Sequence, residues 1–242
     1  MIVTSEGIVL NSRKFGDTSK IINLFSMDYG KISLIAKGAR VPKSKFGSSL
    51  EPLSCTYATF YIKPNTDLYL LSKSELAKKW LRIYNSAEHL SAGFTVLETI
   101  SVTQLQKHPN PELYGLLSDT LDYLNELHNN PKSIVIWFFC RFAEIMGFEL
   151  SLEEIESGDN IVYSVLIENG TISLPAHSAD NRVFRINAKL MNKFATINYA
   201  DISSVSILEL SDNDISTLYN FFGTYFSYHF NYNFVLKSGN LF

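Results

Sequence analysis

The sequence predicts an α+β protein: a small N-terminal β-barrel, then an α-helical domain that carries a β-hairpin insert. Three observations predict it. Short β-type runs separated by turn chemistry fill residues 2–73. After Ser74 the apolar spacing lengthens to that of helices. Residues 148–181 then interrupt the helical pattern with an acidic stretch and an Asn-Gly turn between two apolar runs. The expected division is a barrel over 1–80, a helical domain over 81–147 and 182–242, and an insert over 148–181.

The strands come in order. Ile8, Val9 and Leu10 begin the first, and Ile21, Ile22, Leu24 and Phe25 form the second. In the third, Ile32, Leu34 and Ala36 share one face, because side chains alternate along a strand. Cys55 to Ile62, rich in Thr and Tyr, is the fourth, and Leu68 to Leu71 the fifth. Phe15-Gly16-Asp17, Asp28-Tyr29-Gly30 and Pro64-Asn65 supply turns. Five short strands with a basic loop after the third fit an OB-fold, and an SH3-like barrel has a similar strand count; the pattern leaves both open.

The helices follow. Ile83, Ala87, Leu90, Phe94 and Leu97 make an apolar stripe. Asn110-Pro111 and Asn130-Pro131 each place an N-cap Asn before a Pro at the first helical position. The helices behind them carry Leu113, Leu117, Leu121 and Leu124, then Ile134, Trp137, Phe138 and Phe142, and Gly147 stops the second. Val162 to Ile167 and Ile172 to Leu174 flank Glu168-Asn169-Gly170, a hairpin signal. A last helical region runs from about Ala188, and Ser211 with Asp214 resembles a capping box ahead of an aromatic helix.

Composition bounds the function. With 46 % hydrophobic and 19 % charged residues in 242, the chain reads as globular. No run approaches the ~20 apolar residues that span a bilayer, and the start has no basic region of a signal peptide, so a cytoplasmic location is expected. Cys55 and Cys140, both in apolar surroundings, read as buried free thiols. The net charge of −3 hides a dipole along the chain: residues 1–82 hold 13 cations against 6 anions, and the remainder holds 8 against 18. A cationic front on an acidic body suits a polyanion partner for the first and other partners for the second.

The candidate site is the loop after the third strand. Lys37, Arg40, Lys43 and Lys45, with Gly38, Gly47 and Pro42, lie in a stretch between Asp28 and Glu51 that holds no anion. Cations neutralise phosphates and glycines let backbone approach a ligand; Phe46 offers a ring for base stacking. The alternative is a solvated loop whose charges keep the surface soluble. Arg13 and Lys14 end the first strand and Lys20 opens the second, extending a cationic face or serving as ordinary surface charges. The aromatic run from Tyr219 to Phe234 has few cations near it and reads as core.

Catalysis finds no support. His89, His108, His128, His177 and His229 are scattered without metal spacing, and nucleophile-elbow, phosphate-loop and dinucleotide fingerprints are absent. Glu153, Glu154 and Glu156 beside Gly158 read as a solvated loop. No cofactor, metal or small-molecule substrate is expected. Arg141 stands alone on an apolar helix and needs a carboxylate, from an internal Glu or from another protein.

The chain resembles the bacterial RecO family of DNA repair and recombination mediators over nearly its full length. The resemblance rests on Gly7-Ile8-Val9-Leu10, Gly16-Asp17-Thr18, Leu24-Phe25 and Gly30-Lys31. It continues in Ala36-Lys37-Gly38-Ala39-Arg40 with Lys43-Ser44-Lys45-Phe46 and Leu50-Glu51-Pro52, then Arg141 to Gly147-Phe148, Tyr228-His229 and Lys237-Ser238. It implies an N-terminal OB-fold, a helical domain and a small zinc-binding insert. It also implies binding of single- and double-stranded DNA, strand annealing, partnership with RecR, and contact of the helical domain with the C-terminal tail of single-stranded-DNA-binding protein, here through Arg141. The insert departs from the pattern: 148–181 has no cysteine and only His177, so no zinc is expected. The resulting expectation is a non-enzymatic, cytoplasmic and nucleoid-associated mediator that helps load recombinase with RecR; its DNA contacts are Arg13, Lys14, Lys20, Lys37, Arg40, Lys43, Lys45 and Phe46. An RNA-binding OB module and a protein-only scaffold are the alternatives.

Overall fold

Five strands close into a barrel: β1 (Ile2–Phe15), β2 (Ser19–Ser26), β3 (Gly30–Ala36), β4 (Ser54–Tyr61) and β5 (Leu68–Lys79), in the order β1-β2-β3-β5-β4. They belong to a computed structural model that describes residues 1–127, 130–152, 161–173, 183–205 and 207–238. The chain falls into two compact units, Met1–Glu126 and Leu127–Phe242.

In the first unit, β1 pairs antiparallel with β2 along one part and with β4 along another. The ring closes through a short parallel rung, Ser33–Ile35 of β3 against Leu68–Leu70 of β5. This is the five-stranded closed barrel of an OB-fold. Val9, Ile22, Leu24, Ile32, Leu34, Ala36, Ala58 and Phe60 fill it, as strand alternation requires. β5 runs eight residues past its expected end at Leu71. Its added segment is polar because it mostly faces water, and it is held by its antiparallel ladder to β4 and by a side-chain bond between the hydroxyls of Thr56 and Ser74 (2.5 Å).

A 3-10 turn over Leu81–Asn85 precedes α1 (Ala87–Thr103), capped by Ser86, whose hydroxyl accepts from His89 N. The expected stripe holds at its ends, where Ile83 and Leu97 are buried, and is rotated between them: Ala87 is exposed and Leu90 and Phe94 are half-buried, while His89, Ala92, Gly93, Val96 and Ile100 are buried. Small residues turn inward because the helix sits close: a Cβ on Gly93 would lie 3.2 Å from Leu53 and 3.3 Å from Ile83. α2 (Pro111–Asn125) buries Leu113, Leu117, Leu121 and Leu124 and is capped by Asn110, as expected. Trp80, fully buried, donates from Nε1 to Asp122 of α2 (2.7 Å), and Lys78 pairs with the same carboxylate.

In the second unit, α3 (Pro131–Ile145) starts differently from the expectation. Asn130 sits in the left-handed region (φ 59°) and makes no side-chain cap. Its amide instead donates to the Leu208 carbonyl (3.2 Å). The Asn-Gly hairpin forms between β6 (Val162–Leu166) and β7 (Ile172–Ser173). A third strand, β8 (Val183–Asn187), pairs with the other edge of β6; its five residues carry no turn signal and escaped the sequence reading. Asn187 caps α4 (Ala188–Tyr199), a single turn follows as α5 (Ile202–Val205), and the Ser211/Asp214 capping box opens α6 (Asp212–Phe230). The aromatic run is core: Phe221, Phe222, Tyr225 and Phe226 are fully buried, and Phe139 of α3 meets Phe222 and Phe226 at 5.1 and 5.5 Å between ring centroids. His229 stacks on Phe148 at 4.5 Å and bonds the Ile167 carbonyl through Nε2 (3.1 Å); burial pushes its pKa down, against the opposing pull of that bond.

Two glycines test the barrel's turn geometry. Both Gly30 and Gly38 have positive φ, 63° and 71°, so alanine at either should cost roughly 1–2 kcal/mol for the left-handed backbone. At Gly30 the added Cβ would also overlap the His108 carbonyl and lie 2.8 Å from Pro109 N, whereas at Gly38 it meets nothing within 4 Å. Denaturant unfolding should therefore show Gly30→Ala clearly more destabilised than Gly38→Ala. Equal losses would mean that the close approach of 108–109 to the turn is unimportant.

Candidate functional site

The strands that carry the expected cations bring several of them to one barrel end. In the register, Lys14 faces Lys20, and Lys20 faces Ala36, the residue before Lys37. Arg40 is pinned there twice. Its backbone N donates to Thr18 O (2.8 Å) and its Nη1 to Gly16 O (3.0 Å), both in the β1–β2 turn. Lys14, Lys20, Lys37 and Arg40 thus share a rim. Arg13 is exposed next to them, on the opposite face of its strand from Lys14.

The rest of the loop bends across to β5. Lys45 donates from Nζ to Ser72 O (2.6 Å) and stands 5.1 Å from the centre of the Phe46 ring. Lys43 is exposed at a positive φ of 61°. Phe46 corrects the sequence reading: it is 4 % exposed and belongs to the barrel core with Leu50. Its ring closes the barrel end, so in this conformation it is not offered to a base. The apolar–cation spacing of the loop did not distinguish a ring turned inward from one turned out.

Charge on the rim is uneven. Lys20 pairs with Glu51 at 2.5 Å, so it is already neutralised. Arg40 and Lys45 donate to neutral carbonyls, which fix their position and leave their charge intact. Helices restrict what else the barrel can offer. In OB-folds the face of strands two and three is a favoured oligonucleotide surface. Here Lys31 of β3 donates to Ser101 O of α1 (2.7 Å), and Asn11 of β1 donates to Ser101 Oγ (3.2 Å). Phe25 packs against Tyr114 of α2. Burial pushes the Lys31 pKa down. That face is therefore largely covered, and the rim with its loop is an open cationic surface.

In the second unit Arg141 is half-buried on α3. It pairs through Nη1 with Glu144, one turn on (2.8 Å), and donates through Nη2 to the Asn198 carbonyl of α4. Its Nε is buried without a hydrogen bond. Trp137 lies one turn back on the same face and donates to Ala200 O (2.9 Å), and Tyr199 beside them is 55 % exposed. The internal Glu of the two readings is thus present, on a face that also offers two aromatic rings. A separate cavity of about 480 Å³, lined by Phe139, Tyr219, Phe222 and Phe234, opens beside α6. Phe139 and Arg141 are two helical positions apart, roughly 200° around the axis, so the two are not one site.

Glu153, Glu154, Glu156, His128 and His177 lie outside the described residues. Among the described residues no three His, Cys, Asp or Glu side chains gather to hold a metal. Residues 148–152 and 161–173 of the insert offer no thiol or imidazole. The hairpin is tied instead by Tyr225, which donates to Phe148 O (2.9 Å), and by His229. Among the described residues of the insert the donors do not fit a zinc site.

Two family models cover the chain. The one described as Recombination protein O N terminal matches residues 1–80, and the one described as Recombination protein O C terminal matches 85–234. Curated relatives share the pattern at low identity. The DNA repair protein RecO of Salinibacter ruber is 28 % identical over 214 residues, covering 87 % of this chain and 81 % of that one. That of Chlorobium phaeobacteroides is 27 % identical over 246 residues, covering 96 % and 94 %. That of Bacillus pumilus is 25 % identical over 214 residues, covering 87 % and 82 %.

Elemental analysis of the purified protein should find zinc well below one per chain, and a chelator should leave the melting temperature unchanged. Stoichiometric zinc would place its ligands among residues outside those described.

Proposed function

Because this chain belongs to the recombination protein O family, we propose that it is a DNA-binding recombination mediator in DNA repair. The observation that carries this is the rim: strand register and the Arg40 bonds bring Lys14, Lys37 and Arg40 to one barrel end, and Arg40 and Lys45 are anchored by carbonyls that do not cancel their charge. Such a rim neutralises phosphates of single or double strands without reading bases. Two captured strands are thereby brought together, which is annealing. A captured single strand is held for a recombinase, with RecR as partner. The work is binding and positioning, with no bond made or broken by this chain. We place it in the cytoplasm at the nucleoid; no helix among the described residues is long and apolar enough to cross a membrane. In this reading the barrel, 1–80, serves DNA, and the helical body serves proteins.

Replacing Lys37, Arg40, Lys43 and Lys45 with Ala should lower the slope of log K against log salt on single strands by ~0.7 for each lost phosphate contact. An unchanged slope would move the site off this loop. Matched DNA and RNA oligomers in the same titration separate an RNA-binding module, since only RNA presents the 2′-hydroxyl. No binding at low salt would leave the protein-only scaffold.

The helical body is proposed to take the C-terminal tail of single-stranded-DNA-binding protein at Arg141. A tail carboxylate would displace Glu144, which is 49 % exposed and easily rotated away, while Trp137 and Tyr199 flank an apolar end. Arg141→Ala should weaken tail-peptide binding by about 1.5–3 kcal/mol, the range for a hydrogen bond to a charged group, and leave affinity for naked DNA nearly intact. A variant that melts early yet binds the peptide normally when folded would show that Arg141 serves only Glu144 and the Asn198 carbonyl.

A further inference from the structure

A second cavity lies within the first unit, just beyond the cationic rim. Its volume is about 490 Å³, within the ~300–1,000 Å³ range of small-ligand sites. Its lining comes from the end of the β3–β4 loop (Glu51, Pro52), the end of β5 (Lys79), the 3-10 turn (Leu81, Tyr84) and α1 (Phe94). Four of the six are apolar or aromatic, and Leu81 and Tyr84 leave 60 % and 43 % of their surface in water. The Tyr84 ring is held in place. Its hydroxyl donates to Pro52 O (2.9 Å), and Lys79 Nζ stands 5.9 Å from the ring centre. A ring fixed at its tip and crossed by a cation loses little freedom when something stacks on it.

We propose that this cleft takes one unstacked base of a single DNA strand whose phosphates lie on the rim. The inference rests on the DNA-binding reading above and adds to it the part that recognises single-strandedness. Continuity supports it: Glu51 of the cleft is the ion-pair partner of Lys20 of the rim, so the cleft begins where the rim ends. Charge supports it too, because Lys79 is placed to meet the phosphate next to the inserted base. The barrel needs such a ring from elsewhere, since Phe46 is spent in the core. A base inside a duplex cannot enter, because its faces are covered by neighbours. The rim holds either form of DNA, and the cleft favours the single strand.

The test uses the full chain and labelled strands of equal length, one an oligothymidylate and one with an abasic backbone. The protein should bind the base-bearing strand about 5- to 150-fold more tightly, the equivalent of one stacked base. Tyr84→Ala should abolish most of that ratio, Tyr84→Phe should keep it, and neither should change the salt slope or the affinity for duplex. Leu81→Ser, at a site exposed enough to leave folding intact, should also reduce the ratio. A ratio that survives Tyr84→Ala and Leu81→Ser overturns the proposal. So does a Tyr84-dependent dimer in sedimentation, or an acidic peptide that binds at Tyr84 while the oligothymidylate does not. Strands that bind with a normal salt slope but no base preference defeat the cleft alone; strands that do not bind at all defeat the DNA-binding reading with it.

Discussion

Closure of the barrel is the constraint on which the first unit depends. It rests on a three-residue parallel rung between β3 and β5. Parallel neighbours cannot be joined by a tight hairpin, so the chain between them must leave the barrel, build β4 against β1, and return. The loop over residues 37–53 is the outgoing arm of that excursion. Topology therefore puts it at one barrel end, where Phe46 and Leu50 close the core and where the β1–β2 turn is near enough for Arg40 to bond Gly16 and Thr18. The cations are displayed at the rim because the loop that carries them has to cover it.

That dual duty explains the uneven chemistry of the basic residues. A lysine or arginine that bonds a carbonyl acts as a strut and keeps its full charge for a ligand. One that pairs with a carboxylate gives its charge up. Arg40 and Lys45 are of the first kind and Lys20 of the second. Counting cations along the chain treats all of them alike. The half-exposed Lys20–Glu51 pair contributes little to stability by itself, since exposed ion pairs typically give under ~1 kcal/mol. A phosphate could thus compete for Lys20 at small cost.

Much of the architecture was legible because its signals are local. All five barrel strands, the Asn110 cap, the Ser211/Asp214 capping box and the Asn169-Gly170 hairpin are written in residues adjacent to the feature they specify. What escaped was set by neighbours distant in sequence. The middle of α1 turns Ala92 and Gly93 inward where the expected Ala87, Leu90 and Phe94 do not go, because Leu53 and Ile83 pack close, 3.2 and 3.3 Å from where a Cβ on Gly93 would lie. Asn130 gave up its cap for the Leu208 carbonyl. Phe46 and Arg141 show the same limit at the candidate sites. The loop composition pointed to the rim, but not to the inward turn of one ring. An isolated Arg pointed to a carboxylate, and an internal Glu is there in Glu144 one turn on, but the Asn198 carbonyl, 57 residues away, had no signal. The cleft at Tyr84 had no sequence signal, because its six lining residues are drawn from four separate segments.

The charge distribution ties these observations to one another. Residues 127–242 hold 7 cations and 12 anions, so the second unit carries a net −5. A unit of that sign gains nothing from a phosphate backbone and repels it at low ionic strength. Its aromatic core is saturated: Phe139, Phe142, Phe222 and Phe226 spend their rings on one another. What lies apart from that core is of another kind, a half-buried arginine on α3 with Trp137 one turn back and the exposed Tyr199 next to its Asn198 partner. Phosphates are diffuse, repeated charges and are best met by several fixed cations. A peptide terminus is a single carboxylate with an apolar neighbour and is best met by one arginine in an aromatic setting. Under the proposed function the first unit suits the one chemistry and the second the other, and sorting the charges between them would keep either ligand from occupying the other's place.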